Sequence, residues 1–347
     1  MPDNGSGAPG LPVSTPEYAT DLPGPIGRTA ADAAELVTLG ETMALLAAPR
    51  VGLLRHMSSL DLSVAGAESN LAIGVSRLGR RAAWLSRVGD DEFGRLVTAT
   101  IRAEGVAVYA VVDGTAPTGL MVKERRTDTA TRVQYYRSGS AASRLSPSDV
   151  DESLVRGARV LHVTGITPAL SATARDAVHA AVESARGAGV AVSLDLNYRA
   201  ALWDAAAAGA ELRELVARAD IVFATGPEAR LVVSGDDEAT LAAELEKLGP
   251  RQVLVKRGSR GVVGLLDGTA YDLPAKPVRA VDPVGAGDAF ASAYLTEWIG
   301  GAAPAGCLHA ATVAGAFAVT VPGDWEGLPS RAELDLLGAE PDDDVQR

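Results

Sequence analysis

Asp282-Pro-Val-Gly-Ala-Gly-Asp288 is the stretch on which the reading of this chain turns. Asp282 and Pro283 end an extended segment, Val284 to Gly287 carries no bulky side chain, and Asp288 opens an apolar helical pattern that runs to Ile299. Strand, glycine turn and helix in that order leave free backbone N–H groups at a helix N-terminus, where the helix dipole favours an anion. Glycine lets a phosphate come close to the backbone. Phosphoryl transfer needs such charge stabilisation, together with a carboxylate that accepts the proton of the attacking hydroxyl. Asp288 stands where both requirements meet. A bare Gly-Ala-Gly-Asp also fits a tight turn followed by a favourable first-turn carboxylate. The rest of the chain separates the two.

Outward from the turn, short β-branched runs alternate with long alanine-rich helical patterns from Glu35 onward, the sign of a parallel sheet covered by helices. Strands are expected over 36–46, 82–88, 160–163, 190–194, 221–223 and 253–255. Helical periodicity covers 69–78, 91–104, 171–186, 212–218, 238–248, 286–299 and 304–319. With no internal repeat, a single domain is expected over 35–347. Residues 1–34, rich in Pro, Gly, Ser, Thr and Ala, read as a disordered extension. Two segments break the rhythm: 60–64, and the pair 119–124 and 131–137 around the polar stretch 125–130. The pair alternates polar and apolar residues like a hairpin with one face in water. Such a sheet, drawn from about 50–66 and 118–137, is expected to be a lid; a surface hairpin without a role in the site fits the pattern as well.

With 47% hydrophobic residues the chain can bury a sizeable core. Lys plus Arg number 32 against 44 for Asp plus Glu, so a net charge of -12 argues against nucleic acid or an anionic membrane as partner. An anionic substrate would need a local cluster of arginines. The single Cys307 excludes an intramolecular disulfide, and His56, His162, His179 and His309 lack metal-ligand spacing. No apolar stretch reaches the roughly 20 residues that span a bilayer, and the N-terminus shows no basic region followed by an apolar one. A cytoplasmic protein is expected.

Asp282-Pro-Val-Gly-Ala-Gly-Asp288-Ala-Phe290 resembles the C-terminal signature of the ribokinase-like (PfkB) carbohydrate kinases. Gly66-Ala-Glu68-Ser-Asn70, Ala72 and Arg77-Leu-Gly79 resemble the family's N-terminal signature, and Val88-Gly-Asp-Asp91 with Phe93-Gly94 follows in order. The resemblance runs from about Leu36 to Leu328. It implies an α/β fold, a three-layer sandwich with a mostly parallel central sheet and a small antiparallel β lid. It also implies ATP and Mg2+ as cofactors, Gly285, Ala286 and Gly287 as the anion hole for the γ-phosphate, and Asp288 as the catalytic base. Lys256-Arg-Gly258-Ser-Arg-Gly261 stands where the family has its nucleotide-binding turn, so Lys256, Gly258, Gly261, Gly285 and Gly287 are expected at ATP. By spacing alone that turn also fits a hairpin. Glu228 corresponds to the glutamate of the family's Asn-x-x-Glu element, which helps organise magnesium; here Thr225 replaces the Asn and offers one oxygen.

Tyr135-Tyr-Arg137, Gly139-Ser-Ala-Ala-Ser143, Gly165-Ile-Thr-Pro-Ala-Leu170 and Asp195-Leu-Asn-Tyr-Arg199 with Leu202-Trp203 resemble one branch of the family, the 2-keto-3-deoxygluconate kinases. Two arginines suit an acidic sugar, because a guanidinium binds a carboxylate in bidentate fashion. The resemblance implies that Gly66, Asn70, Tyr135, Arg137 and Arg199 contact the sugar acid, with Asp288 at its terminal hydroxyl. Taken singly, Arg137 also fits a solvated edge-strand charge, Arg199 a structural partner of Asp195 or of a helix C-terminus, and Tyr135 ordinary strand packing. Ala65 replaces a family glycine, and Met121 stands where close relatives have a substrate-contacting tyrosine, so the preferred epimer is open. Kinases for 2-keto-3-deoxygalactonate, 5-keto-2-deoxygluconate or fructose, and a silent sugar-acid sensor, are the alternatives. Glu41 reads as a pocket carboxylate or a turn residue, and Gly323-Asp-Trp-Glu-Gly327 is assigned no chemistry. The unpaired edges of a lid sheet suggest a homodimer through it.

Overall fold

A computed structural model describes residues 33–127 and 130–338 of the chain. The extension expected over 1–34 lies outside the described residues except for Ala33 and Ala34, and Ala34 is buried. In chain order the strands are β1 (Leu36–Leu39), β2 (Met43–Ala47), β3 (Asp61–Ala65), β4 (Ala82–Gly89), β5 (Ala107–Asp113), β6 (Leu120–Arg125), β7 (Thr131–Tyr136), β8 (Val160–Thr164), β9 (Ala191–Asp195), β10 (Ile221–Thr225), β11 (Gln252–Lys256), β12 (Val262–Leu266) and β13 (Thr269–Leu273). The helices are α1 (Ala67–Arg77), α2 (Glu92–Ala103), α3 (Glu152–Arg156), α4 (Ala172–Gly187), α5 (Ala205–Val216), α6 (Gly226–Val232), α7 (Glu238–Glu246), α8 (Ala286–Ile299), α9 (Pro304–Ala318) and α10 (Arg331–Gly338).

A nine-stranded sheet runs β13-β12-β11-β10-β9-β8-β1-β4-β5, parallel except where β12 pairs antiparallel with both β11 and β13. Its inner strands are near-continuous apolar runs because helices cover both faces. On one face Val37, Leu161 and Val192 pack with Ala177 of α4, Leu212 of α5 and Leu241 of α7. On the other, Leu36, Val160 and Phe223 pack with Ile73 of α1, Tyr294 of α8 and Leu308 of α9. Asp91, Ser171, Asp204 and Asp237 cap α2, α4, α5 and α7 through side-chain oxygens, each contributing about 1 kcal/mol. Among the described residues no helix is long and apolar enough to cross a membrane.

The strand expected over 36–46 is two strands in two sheets. Gly40 passes so close to the buried Glu68 that a Cβ there would lie 2.2 Å from the Glu68 carboxyl carbon. The chain then turns through the buried polar residues Glu41 and Thr42, and β2 leaves the large sheet. It joins a four-stranded sheet ordered β3-β2-β6-β7, in which β2/β3 and β6/β7 are antiparallel and β2/β6 is a parallel junction. The lid segment expected over about 50–66 contributes only β3; residues 54–56 form a 3-10 turn. Met43, Leu45, Ala65 and Met121 form an apolar cluster on one face of this small sheet.

Candidate active site

Strands β1, β9, β10 and β11 all end at one cavity of about 760 Å³, the usual location for ligands in a parallel sheet. Glu41, Asp195, Thr225 and Lys256 stand at or just beyond those strand ends, and the first turns of α1 and α8 complete the wall. Every site residue expected from the sequence lines this cavity: Gly66, Asn70, Tyr135, Arg137, Arg199, Glu228, Lys256, Gly258, Gly261, Gly285, Ala286, Gly287 and Asp288.

Asp288 lies in the first turn of α8, recessed in the cavity. Asn70 Nδ2, from the first turn of α1, donates to Asp288 Oδ2 at 2.8 Å. Removal from bulk water pushes the Asp288 carboxyl up to about 7; Asn70, Lys256 and Arg199 pull it down, and the neighbouring Asp195 pushes it further up. That is a good setting for a base near neutral pH. Lys256 donates to Asp195 Oδ2 at 2.6 Å and lies beside the turn, since a Cβ on Gly287 would be 3.3 Å from its Nζ. Burial works against the ammonium, but the charges of Asp195, Glu228 and Asp288 outweigh it and hold its pKa above the usual lysine value.

Gly285 is the N-cap of α8 with φ 75°, and a Cβ there would sit 2.0 Å from the carbonyl oxygen of Asp324. Both constraints select glycine and leave the N-terminal amides of α8 open to an anion. Two further carboxylates border this turn. Lys123 Nζ, on β6, contacts Asp282 Oδ2 at 2.7 Å and Asp324 Oδ1 at 3.3 Å. Asp282 and Asp324 fall within longer sequence motifs, but none of these three was assigned a role of its own from the sequence. A lysine one pleat from Met121, on the apolar-facing side of an alternating strand, was the available signal.

Arg137 is not a solvated edge charge. It is largely buried against Glu41, with its Nε 2.6 Å from Glu41 Oε2, and Ser140 donates to Glu41 Oε1 at 2.5 Å. Glu41 is therefore a pocket carboxylate. The Arg137 guanidinium also lies 5.7 Å from the centre of the Tyr135 ring. Arg199 is exposed and faces no carboxylate at ion-pair distance among the described residues; its NH1 approaches only the carbonyl of Tyr198, at 3.5 Å. Asp195, offered as its partner, pairs with Lys256 instead. Ala65 and Met121, both buried, form part of the same wall.

Thr225 and Glu228 form a capping box on α6: Thr225 N and Oγ1 donate to Glu228 Oε2 at 2.7 and 2.8 Å, while Glu228 N donates back at 3.4 Å. Tyr198 N donates to Glu228 Oε1 at 3.1 Å. Thr225 thus does local work that a helix N-cap requires, and it orients Glu228 toward the cavity. Nearby, Asp195 Oδ1 is buried without a hydrogen-bond partner. This all-oxygen set suits a hydrated magnesium ion, a hard cation that keeps several of its waters.

The segment after β11 is a hairpin and a cavity wall at once. Gly258 and Gly261 adopt φ 59° and 93°, and both line the cavity with Ala275, Pro277, Val278 and, from α9, Thr312 and Gly315. Small and apolar groups there suit a flat purine.

The family model for pfkB family carbohydrate kinases matches residues 33–331. The 2-dehydro-3-deoxygluconokinase of Thermoproteus tenax is 38% identical over 307 residues, covering 87% of this chain and 93% of the relative. The 2-dehydro-3-deoxygalactonokinase of Haloferax volcanii is 36% identical, covering 88% and 98%. Among solved structures, a putative ribokinase II from E. coli in complex with ATP and Mg2+ superposes with a TM-score of 0.81 at 26% identity, covering 88% of this chain and 98% of that one. The geometry around Asp288 and these matches agree, and the chain belongs to the pfkB family of carbohydrate kinases.

Proposed function

We propose that the chain transfers the γ-phosphate of ATP to the terminal C6 hydroxyl of 2-keto-3-deoxygluconate (2-dehydro-3-deoxygluconate), giving 2-keto-3-deoxy-6-phosphogluconate. Arg199 carries the choice of acceptor. Glu41 already answers the charge of Arg137, whereas Arg199 shares the cavity with Asp288 and has no carboxylate at ion-pair distance among the described residues. The carboxylate of a sugar acid supplies the missing anion, and fructose does not. The name of the 38% identical relative points the same way.

In this mechanism ionised Asp288 takes the proton of the C6 hydroxyl as its oxygen attacks the γ-phosphorus. Asn70 holds one carboxylate oxygen, Oδ2, leaving Oδ1 for the sugar. The bond from phosphorus to the β–γ bridging oxygen breaks and ADP departs. Charge on the transferring group meets the backbone amides at 285–288 and the Lys256 ammonium. Asp195 and Glu228 would hold magnesium, which would supply positive charge to neutralise the phosphates. The small sheet acts as a lid: Met43, Met121 and Tyr135 close the sugar end and exclude water that would otherwise compete for the phosphate. Asp195, Lys256, Arg137 and Glu41 hold the site's shape before substrate arrives.

A second reading, 2-keto-3-deoxygalactonate as substrate, is favoured by Met121, which offers no hydroxyl to select one epimer. Exposed Leu62 and Tyr136 on the small sheet support a homodimer through it, and a single-chain sedimentation mass would remove that part. Dependence on ATP and the lone buried Cys307 fit a cytoplasmic enzyme. Arg199→Ala tests the acceptor. Its kcat/KM for the sugar acid is expected to fall about 50-fold, with KM for ATP within about twofold of the parent. A loss confined to ATP affinity would assign Arg199 to the phosphates and remove the case for an acidic sugar.

A further inference from the structure

Strand β6 directs Met121 and Lys123 to the same face of the small sheet, two residues apart. Met121 reaches the cavity; Lys123, 5% exposed, reaches across to the segments beside the start of α8. Its ammonium meets two carboxylates, Asp282 Oδ2 at 2.7 Å and Asp324 Oδ1 at 3.3 Å. Each carboxylate belongs to a backbone segment that shapes the anion-binding turn. Asp282 begins the turn, and its Oδ1 accepts from Val284 N at 3.2 Å. Asp324 presses its carbonyl oxygen against Gly285, and Gly323 N approaches Asp282 Oδ2 at 3.4 Å. One ammonium on the small sheet therefore joins both segments.

We propose that Lys123 is a positioning residue for phosphoryl transfer, a latch that fixes the small sheet to the anion-binding turn and holds Gly285, Ala286 and Gly287 in register with Asp288. The proposal rests on the kinase reading of the site. Without Lys123, two carboxylates would stand uncompensated beside the path of a phosphate, repelling it and each other. Burial already pushes the Asp324 carboxyl up, with Lys123 pulling it down and Glu326 and Asp282 adding to the push. A purely structural ion pair would affect stability alone. A latch on the turn also moves the rate of transfer, because reacting groups displaced by about 1 Å lose about 100-fold. The sugar contacts of Arg199, on another element, stay in place.

The test is steady-state kinetics with melting curves on Lys123→Met, Lys123→Arg and the double variant Lys123→Met/Asp324→Asn. Lys123→Met is expected to lower kcat about 100-fold, with KM for the sugar within about threefold. Lys123→Arg, which keeps the charge, should recover at least about tenfold of that loss, and the double variant should recover part of it by removing one repelling carboxylate. A folded Lys123→Met with kcat within about threefold of the parent overturns the latch, as does Lys123→Arg no faster than Lys123→Met. Should Lys123→Met fail to fold, Asp324→Asn decides. A fall in kcat of about tenfold at unchanged sugar KM supports the latch, and parent-level kcat overturns it. A parent protein that phosphorylates no sugar would instead overturn the kinase reading itself.

Discussion

Asp288→Asn is expected to lower kcat for sugar phosphorylation about 1,000-fold or more, leaving the calorimetric affinity for the sugar within about threefold. The amide keeps the size of the side chain and can still meet Asn70, but it cannot accept the hydroxyl proton. Misfolding is not the expected reason for the loss. The folded Asp288 carboxyl is raised from 3.8 to about 7, so its contribution to stability is fully present below about pH 4 and is lost as pH rises through about 7. At pH 8 the parent carries a poorly solvated charge that the Asn variant lacks. The variant should therefore melt at or above the parent temperature at that pH. Near-normal turnover would remove Asp288 from the role of base.

Lys256→Met is expected to have the second large effect, on stability and on the pH profile together. The Lys256–Asp195 pair is largely buried, with side chains 15% and 4% exposed, and removing one partner of such a pair costs about 3 kcal/mol. The same change withdraws a positive charge that stabilises ionised Asp288. The parent's kcat/KM should fall below about pH 7, where the base is protonated, and this acid limb should move to higher pH in the variant. Melting curves and a kcat/KM profile from pH 5 to 9 check both. An acid limb that stays put would mean that Asp288 does not feel Lys256.

Local patterns made much of this legible. Helix α8 spans Ala286–Ile299 as expected, because its start is marked by the Gly285 N-cap and its end by Gly300, and both signals are within the chain segment itself. The inner parallel strands are apolar runs for the same kind of reason: helices bury both faces. Edge strands β5 and β13 were missed because their exposed positions dilute the apolar pattern. Helix α6, only seven residues long, was missed as well, although the capping-box sequence Thr225-Gly-Pro-Glu228 marks its start.

The break after Gly40 was not legible, since it depends on the Glu68 carboxyl packed against that glycine and on β2 finding β3 and β6 as partners. Partner choice among charges was hidden for the same reason. Arg137 and Glu41 are 96 residues apart, and Lys123 and Asp282 are 159 apart. Sequence supplies the residue types at the cavity; only the fold decides which carboxylate each cation meets. That decision matters here, because Glu41 answers Arg137 while Arg199, in the same cavity, meets no carboxylate at ion-pair distance among the described residues.

The central claim is tested most directly by a coupled ADP-release assay with ATP and magnesium across 2-keto-3-deoxygluconate, 2-keto-3-deoxygalactonate, 5-keto-2-deoxygluconate and fructose. The site predicts that 2-keto-3-deoxygluconate is phosphorylated with a kcat/KM at least about 100-fold above that for fructose, because only an acid satisfies Arg199. A preference for fructose, or ADP release that is indifferent to the sugar's carboxylate, would contradict it.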